Sequence, residues 1–233
     1  EFRRVLFRSH AIQHEFQLKN AKAVYISSAC SSFINAIEIA EGYFAAGKSD
    51  HALIVVSEHN SAYNNENDEK SGHLWGDGAA CIFISKHKNK KNQPQIMDIY
   101  TKGLGYVGKN LDAIVLHPAN GGLLMPYGKD VFVNACHFMV EALDVVLKRN
   151  KISVDELNYI IPHQANIRII RNIAQNLRVE QEKVLTNIEE IGNTGCASTL
   201  IVLSQNMDKM KRGTMVGLTV FGGGYSCGSS LVQ

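Results

Sequence analysis

Residues 24–33 read Val24-Tyr-Ile-Ser-Ser-Ala-Cys30-Ser-Ser-Phe33, a β-rich run that ends in small residues and passes at once into a helical pattern. This order predicts a strand-to-helix elbow with Cys30 at its corner. A thiol at that position faces the unpaired N–H groups and the positive dipole end of the helix, which favour the thiolate over the thiol. The sequence therefore predicts a reactive cysteine where a strand ends and a helix begins.

Apolar periodicity places further elements after this elbow. A buried helix is predicted over 31–46, since Phe33, Ile37 and Phe44 share one face and Gly47 stands at the C-terminal cap,. The apolar run at 51–57 predicts a buried strand, and a glycine turn at Gly76 leads into another strand that ends at 85,.

The second part of the chain repeats this order of elements. It is predicted to contain a helix at about 129–149, a capping box at 153–156, a strand at 159–161, helices at about 165–177 and 196–211, a strand at 215–221, a glycine turn at 222–224 and a last strand to 232,. Strand, helix, strand, glycine turn and strand thus occur twice, as 24–85 and as 158–232. Such alternation predicts a mostly parallel or mixed sheet with helices outside it. Because reactive groups gather beyond the carboxyl ends of strands in α/β sheets, the repeat places Cys30 and His163 in one crevice.

The composition is that of an ordinary soluble protein. With 233 residues, 45% of them hydrophobic and 20% charged, the chain can bury the core of one large domain or of two fused halves,. A formal net charge of +2 does not indicate nucleic acid or another polyanion as a partner, and we expect no nucleic-acid partner,. The one basic cluster, at residues 86–91, follows a strand pattern and precedes Pro94, so a solvated loop is the favoured interpretation,.

Five cysteines, an odd number without close metal-type spacing, indicate free thiols in a reducing compartment,. Cys81 and Cys136 lie in apolar runs, where cysteine behaves as a small hydrophobe. His10 and His14 have the spacing of a helical metal pair, but no third ligand stands near them in the sequence, so no metal site is predicted. No apolar run of about eighteen residues occurs, and we expect a cytoplasmic protein without membrane insertion.

Two polar residues far downstream have local contexts comparable to that of Cys30. His163 follows Pro162, which ends an apolar strand just before a helix,. A histidine in this position is by itself more often structural than catalytic. Asn193 is bracketed by glycines immediately before another helix, where asparagine commonly serves as a cap,.

Together these segments are far more specific. The chain contains, in this order, Ser-Ala-Cys30-Ser-Ser-Phe33, Trp75-Gly-Asp-Gly-Ala-Ala80, Pro162-His-Gln-Ala-Asn-Ile-Arg-Ile-Ile170, Gly192-Asn-Thr194 and Phe221-Gly-Gly-Gly-Tyr225. The series resembles β-ketoacyl-acyl-carrier-protein synthase III, a branch of the thiolase superfamily, over essentially residues 10–233. The resemblance implies an α/β, thiolase-like fold of two similar βα halves in a layered α-β-α-β-α arrangement, with the first half incomplete.

The resemblance also sets boundaries along the chain. Residues 1–9 match the reading-frame translation of a sequencing-adapter oligonucleotide and are taken as a non-native segment. Residues 10–95 correspond to the remainder of the N-terminal half, and residues 96–233 to the C-terminal half. Because the family's opening strands and helices are absent, we expect this literal chain to be poorly soluble or inactive and the complete gene product to be an active homodimer.

The implied activity is a decarboxylative Claisen condensation of a short acyl-CoA with malonyl-acyl-carrier protein, which initiates fatty-acid synthesis. Cys30 would carry the acyl group, the N–H groups of Cys30 and Gly223 would form the oxyanion hole, and His163 and Asn193 would stabilise the enolate. The implied substrate-binding residues are Ala165, Asn166 (at the pantetheine arm), Arg168 (at the carrier protein), Gly128, Phe132 and Phe221. No cofactor is implied, because the departing carboxylate of the substrate supplies the carbanion.

Several alternatives are open at this point. Ser32 stands where many relatives have glycine, Cys227 where they often have tryptophan, and the loop at 58–73 departs from the housekeeping pattern. An enzyme of secondary metabolism, or one that transfers acyl groups without condensation, is therefore an alternative. A papain-type cysteine hydrolase would carry a Cys-Gly-Ser-Cys-Trp context, which is absent around Cys30, and a degradative thiolase would carry a second cysteine at Phe221. The nonenzymatic alternative is an inactive fragment.

Overall fold

Both helices and strands occur along the chain in the computed structural model, which describes residues 8–87, 93–117 and 121–233. The helices are α1 (Arg8–Glu15), α2 (Ser32–Ala45), α3 (Asn110–Ala113), α4 (Gly128–Asn150), α5 (Ile167–Leu177), α6 (Ile188–Ile191) and α7 (Ser198–Gln205). The strands are β1 (His51–His59), β2 (Asp77–Ser85), β3 (Ile96–Gly103), β4 (Val115–His117), β5 (Gly122–Leu124), β6 (Tyr159–Pro162), β7 (Val216–Gly222) and β8 (Ser226–Val232). Most of the basic cluster at 86–91 lies outside the described residues.

A four-stranded mixed sheet forms the centre of the C-terminal half, in the order β3-β8-β7-β6. β6 and β7 run parallel, with Pro162 opposite Thr219, whereas β8 is antiparallel to both of its neighbours. The N-terminal half contributes the antiparallel pair β1–β2, and β4–β5 form a small third sheet. The prediction of a mixed sheet is confirmed.

Two helices, α2 and α7, lie between the two larger sheets. Their apolar faces share one core with both sheets, made by Phe33, Ile34, Ile37, Ile54, Val56, Ile161, Leu200, Val202, Leu218 and Val220. α4 and α5 cover the opposite face of the large sheet, around Leu143, Val146, Ile160, Ile170 and Leu231. Four of the five predicted layers are thus present in the described part of the chain. The outer face of β1–β2 is exposed there, with Phe83 66% and Leu53 44% accessible.

Local sequence signals end and begin several of these elements as predicted. After α2, Gly47 adopts φ +65°, a left-handed conformation that glycine tolerates at little cost,. The capping box at 153–156 forms, with the Ser153 N–H donating to Glu156 Oε2 at 2.7 Å,. α5 begins two residues later than predicted, because Asn166 acts as its cap and accepts from Ile169 N–H at 3.0 Å,.

Two predicted elements are wrong, and the strand predicted to be buried at 51–57 is buried only at Ile54 and Val56, because its other face is open. Residues 24–27 form no ladder with any described strand, because a strand requires a hydrogen-bonded neighbour that apolar composition does not supply,. The helix predicted at 196–211 divides into a 3-10 turn at Gly195–Ala197, α7, and a second 3-10 turn at Met207–Lys209. The interruption is at Asn206, whose side-chain Nδ2 donates to Val202 O at 2.8 Å at the end of the regular helix,.

The beginning of the described chain also differs from expectation. Arg8 and Ser9, which the sequence interpretation excluded from the fold, belong to α1, and Arg8 donates to Ser57 O at 2.8 Å. None of the described helices combines the length and the apolar surface that a membrane span requires.

Candidate active site

Cys30 lies in a tight turn immediately before α2. Ala29 adopts φ +48°, and the N–H groups of Ser31 and Ser32 donate to Ser28 O at 3.2 Å and to Ala29 O at 3.0 Å. The Ser32 hydroxyl braces the same turn, because it accepts from Ser28 N–H at 2.9 Å and donates to Ala29 O at 2.6 Å. A left-handed alanine persists only where surrounding contacts hold it. The predicted elbow at Cys30 is therefore a braced turn that leads into a helix, although no regular strand precedes it.

The thiol of Cys30 is protonated at neutral pH. Burial raises its pKa to about 12, the negative charge of Glu58 acts in the same direction, and a backbone hydrogen bond of Cys30 itself opposes them. The residue as a whole is partly exposed, but its sulfur has lost hydration. The prediction of a resting thiolate is wrong, because desolvation and a nearby carboxylate outweigh the N–H groups of the helix start.

His163 follows β6 and is 3% exposed. Its main-chain N–H donates to Thr219 O at 2.8 Å, next to the parallel pairing of β6 with β7. Its Nδ1 lies 2.8 Å from the Ser198 hydroxyl oxygen, which also accepts from Gln164 N–H at 3.3 Å. Burial lowers the imidazole pKa to about 4, so the ring is neutral at pH 7,. Since a hydroxyl can donate or accept, Ser198 can pair with Nδ1 in either tautomer of the His163 ring. In one tautomer Nε2 carries the proton and donates, and in the other Nε2 accepts.

Asn193 is fixed at both its side chain and its backbone, and it is 3% exposed. Its Oδ1 accepts from Gly195 N–H at 2.9 Å, which assigns the amide orientation and leaves Nδ2 available to donate,. Its N–H donates to Leu74 O at 2.7 Å, and its carbonyl accepts from Gly76 N–H at 2.9 Å and from Asn60 Nδ2 at 3.2 Å. The side-chain amide is therefore held with a donor free for a ligand.

One short segment, residues 193–198, connects the three predicted catalytic residues. Asn193 begins the segment, Ser198 ends it beside His163, and Cys196 N–H donates to Glu58 Oε1 at 3.1 Å between them. Burial, Glu58 and Cys30 together raise the pKa of the Cys196 thiol above its usual range. Ala197 of this segment shares one apolar core with Phe33, so the segment packs against the start of α2, where Cys30 lies,. The structure thus gathers the three residues around 193–198.

The glycine turn after β7 lies directly against the Cys30 elbow. A Cβ on Gly222 would meet Ser28 O at 2.5 Å and Ser31 N at 2.9 Å, so only glycine allows this approach of the two backbones,. A Cβ on Gly223 would lie 3.8 Å from Ala29 Cβ. Cys30 and Gly223 therefore belong to adjoining turns, the placement that an oxyanion hole made from both N–H groups requires.

Three of the predicted substrate-binding residues share one apolar cluster. Phe221, Phe132 and Ala165 pack together between α4, α5 and the end of β7. Phe221 is only 3% exposed, and its ring centroid lies 4.8 Å from that of Tyr225. The structure thus places Phe221 in the core, with the partly buried Phe132 and Ala165 packed against it.

The other three lie at helix starts. Gly128 is the first residue of α4, and Arg168 is exposed in the first turn of α5. Asn166 uses Oδ1 to cap α5, which leaves its Nδ2 for a ligand. Helix starts present N–H groups and suit the binding of polar or anionic groups.

Sequence reasoning missed Glu58, Asn60 and Ser198. Glu58 was assigned to a polar loop, but β1 continues to His59 and places this carboxylate inside the site. Ser198 lies four residues after the quoted Gly192-Asn-Thr194 motif, yet its contact with His163 joins residues 35 positions apart. An acidic residue at the end of an apolar run was the only signal for Glu58, and no local pattern indicates the other two contacts.

Known proteins share this arrangement of sequence and fold. Residues 25–103 match the family model of 3-oxoacyl-[acyl-carrier-protein (ACP)] synthase III, and residues 147–233 match the model of its C-terminal region. A beta-ketoacyl-[acyl-carrier-protein] synthase III of Aquifex aeolicus is 35% identical over 232 residues, which cover 97% of this chain and 72% of that protein. The chain belongs to the 3-oxoacyl-[acyl-carrier-protein] synthase III family.

The chain is also similar to the beta-ketoacyl-[acyl-carrier-protein] synthase III of Oleidesulfovibrio alaskensis, with 30% identity over 95% of this chain and 71% of the relative. The crystal structure of 3-oxoacyl-(acyl carrier protein) synthase III from Pseudomonas aeruginosa PAO1 matches with a TM-score of 0.88 and 26% identity, over 97% of this chain and 71% of that one. These relationships confirm the predicted thiolase-like α/β fold. They also confirm the predicted class, a condensing acyltransferase of fatty-acid biosynthesis.

Proposed function

We propose that this synthase III joins a short acyl group from acyl-CoA to a malonyl unit on acyl-carrier protein, with loss of carbon dioxide. The observation that supports this most is the segment 193–198, which connects Asn193, the surroundings of Cys30, and His163. A thiol next to two side chains that can donate hydrogen bonds suits a reaction in which an acyl group is first held and then attacked by an enolate.

Acylation of Cys30 is the first half-reaction. Cys30 Sγ forms a bond to the acyl carbon, the bond from that carbon to the CoA sulfur breaks, and the Cys30 proton ends on the released CoA thiol. Nε2 of His163 relays this proton, because an imidazole with a pKa of about 4 gives it up again readily,. The N–H groups of Cys30 and Gly223 stabilise the oxyanion of the tetrahedral intermediate.

Condensation is the second half-reaction. Nε2–H of His163 and Nδ2–H of Asn193 donate to the thioester oxygen of the malonyl group. As carbon dioxide leaves, its bonding electron pair becomes the enolate, whose charge these two donors stabilise. The α-carbon attacks the acyl carbon, and the Cys30 sulfur departs as a thiolate that takes a proton from solvent. The reaction requires no metal or redox cofactor, because decarboxylation itself supplies the carbanion.

The test measures carbon dioxide and product together. The intact gene product that carries this sequence is incubated with acetyl-CoA and malonyl-acyl-carrier protein, and mass spectrometry identifies the species on the carrier. We expect equal amounts of carbon dioxide and 3-oxoacyl product, and loss of condensation in Cys30→Ser, His163→Ala and Asn193→Ala. Cys81→Ser, on the exposed face of β2, is the matched control. Free acid without carbon dioxide would indicate a hydrolase instead, and acyl transfer without carbon dioxide a simple acyltransferase.

Arg168 is proposed to contact the acidic carrier protein, with Asn166 at the pantetheine arm. The exposed guanidinium at the start of α5 and the available Nδ2 of Asn166 support this assignment. Arg168→Ala should raise KM for malonyl-acyl-carrier protein roughly tenfold and leave KM for acyl-CoA unchanged. Arg178→Ala, at the far end of the same helix, is the control. Equal changes in both KM values would contradict a carrier-specific role.

We also infer a homodimer located in the cytoplasm. Residues 24–27 have no ladder partner among the described residues, and Val24 and Tyr25 are 46% and 51% exposed. Unpaired backbone beside exposed apolar side chains favours pairing with another chain. Light scattering of the intact gene product should give twice the chain mass, and an active monomer would contradict the dimer. Cell fractionation tests the location.

A further inference from the structure

Two consecutive residues hold the glycine turn 222–224 from opposite sides. On one side, Ser226 Oγ lies 2.5 Å from Ser31 Oγ and donates to Ser28 O at 3.4 Å, which joins the turn to the Cys30 elbow. On the other side, the Tyr225 hydroxyl donates to Asp130 Oδ2 at 2.8 Å. The turn that carries Gly223 is therefore fixed by hydrogen bonds in two directions.

The Tyr225 contact is partly buried and belongs to a larger network. Tyr225 is 2% exposed, and its carbonyl accepts from Leu104 N–H at 2.8 Å. The same Oδ2 of Asp130 accepts from Lys109 N–H at 2.9 Å and from Asn134 Nδ2 at 3.2 Å. One carboxylate oxygen thus connects the glycine turn, the loop after β3 and the first turn of α4.

The ionisation states of Asp130 and Tyr225 determine which group donates the hydrogen bond and which accepts it over the working pH range. Hydrogen bonds from Lys109 N–H and the Tyr225 hydroxyl lower the pKa of Asp130 below its usual value. Burial and the neighbouring carboxylate raise the pKa of Tyr225 above the usual range of a phenol. The phenol therefore remains the donor and the carboxylate the acceptor, an ionised and hence strong hydrogen bond.

The location of Asp130 gives the contact a functional consequence. Asp130 lies in the first turn of α4, between Gly128 and Phe132, the two α4 residues implied to contact substrate. Tyr225 lies directly after the glycine turn that bears the proposed oxyanion donor Gly223. A hydrogen bond between them ties the channel-side helix start to the oxyanion turn.

We propose that Tyr225 is a positioning residue whose hydroxyl, through Asp130, holds the Gly223 N–H in place for the oxyanion formed during acylation of Cys30. This inference rests on the proposed function. The Tyr225 hydroxyl should affect the two half-reactions differently, because the oxyanion turn stabilises charge on the acyl thioester whereas His163 and Asn193 stabilise charge on the malonyl thioester. Losing the Tyr225 hydroxyl therefore slows acylation without affecting decarboxylation.

Tyr225→Phe in the intact gene product tests this separation. Phenylalanine keeps the ring contact with Phe221, whose centroid is 4.8 Å away, and removes only the hydroxyl. Acylation of Cys30 by acetyl-CoA is followed in rapid-quench samples by intact protein mass, and malonyl-acyl-carrier protein decarboxylation by carbon dioxide release. We expect acylation to slow roughly 10- to 100-fold with unchanged KM, since removing one oxyanion donor outright costs about 100- to 1,000-fold. Decarboxylation should stay within about twofold of wild type.

Matched variants identify the Asp130 contact as the cause. Tyr106→Phe, an exposed tyrosine in the loop after β3, should leave both rates unchanged. Asp130→Ala should slow acylation as much as Tyr225→Phe, and the double variant should be no slower than either single one. If Tyr225→Phe is acylated at the wild-type rate, the inference is overturned. It is also overturned if the rates of acylation and decarboxylation fall by the same factor. A wild-type protein that never acylates Cys30 would refute the proposed function itself, and the inference with it.

Discussion

Replacing Gly222 with alanine tests whether the glycine turn positions the reaction at Cys30. The added Cβ would lie 2.5 Å from Ser28 O and 2.9 Å from Ser31 N. Both are backbone atoms, so rotating a side chain does not relieve the clash. To reach an ordinary contact near 3.4 Å, the turn and the Ser28 carbonyl have to separate by about 0.9 Å,.

A separation of this size displaces the Gly223 N–H from the acyl group on Cys30. Misplacement by about 1 Å costs roughly 100-fold in rate, so Gly222→Ala should slow acylation by about that factor. Overpacking should also lower the free energy of unfolding by about 1–3 kcal/mol. The kinetic effect exceeds what a general loss of folded protein would cause, because a destabilisation of this size leaves most molecules folded.

Single-turnover acylation by acetyl-CoA, read by intact protein mass, measures the rate, and denaturant titration measures the stability. Gly103→Ala is the matched control, since its Cβ meets no atom within 4 Å at the end of β3. We expect the control to acylate like wild type. If Gly222→Ala also acylates at the wild-type rate, the close approach of the two turns does not position the oxyanion donor and our reasoning is wrong.

Three further predictions concern charge and hydrogen bonding in the site. Glu58→Gln removes a charge that raises the Cys30 pKa, so the pH dependence of Cys30 alkylation by iodoacetamide should shift to lower pH,. An unchanged pH dependence would mean that burial alone sets this pKa. Ser198→Ala leaves His163 Nδ1 without its hydrogen-bond partner and should lower kcat for condensation about tenfold with little change in KM,. A kcat equal to that of wild type would exclude a role of Ser198 in orienting the His163 ring. Burial lowers the His163 pKa from 6.5 to about 4. The unfolded state therefore binds this proton more tightly, and stability should fall by about 2 kcal/mol between pH 7 and pH 5 relative to a His163→Asn variant. Denaturant titrations of both proteins at the two pH values measure this difference, and parallel losses would contradict it.

Local patterns predicted most elements because the relevant signal lies within each element. α2, α4 and α5 each have an apolar face that repeats along the helix, and the run that became β7 is buried throughout,. Prediction failed where a hydrogen bond, or the lack of one, determines the local structure. Residues 24–27 have the composition of a strand without a ladder partner among the described residues, and Asn206 ends a helix by bonding to Val202 O,.

The candidate site shows the same division. Cys30, His163 and Asn193 each stand in a distinctive local motif, so the sequence was sufficient to select them. Glu58 and Ser198 stand in unremarkable local sequence, and their importance follows from contacts with Cys196 and His163. Such contacts join segments that only the folded chain brings together.

The sequence by itself determined the candidate reactive groups and the order in which they occur: a cysteine before a helix, a histidine after a strand and an asparagine between glycines. Only the tertiary structure decided their protonation. Cys30 and His163 are both neutral, against the expectation of a resting thiolate, because burial removes water from each and Glu58 adds a negative charge near the sulfur. A pKa depends on the hydration and charges around a group, and here distant segments supply both.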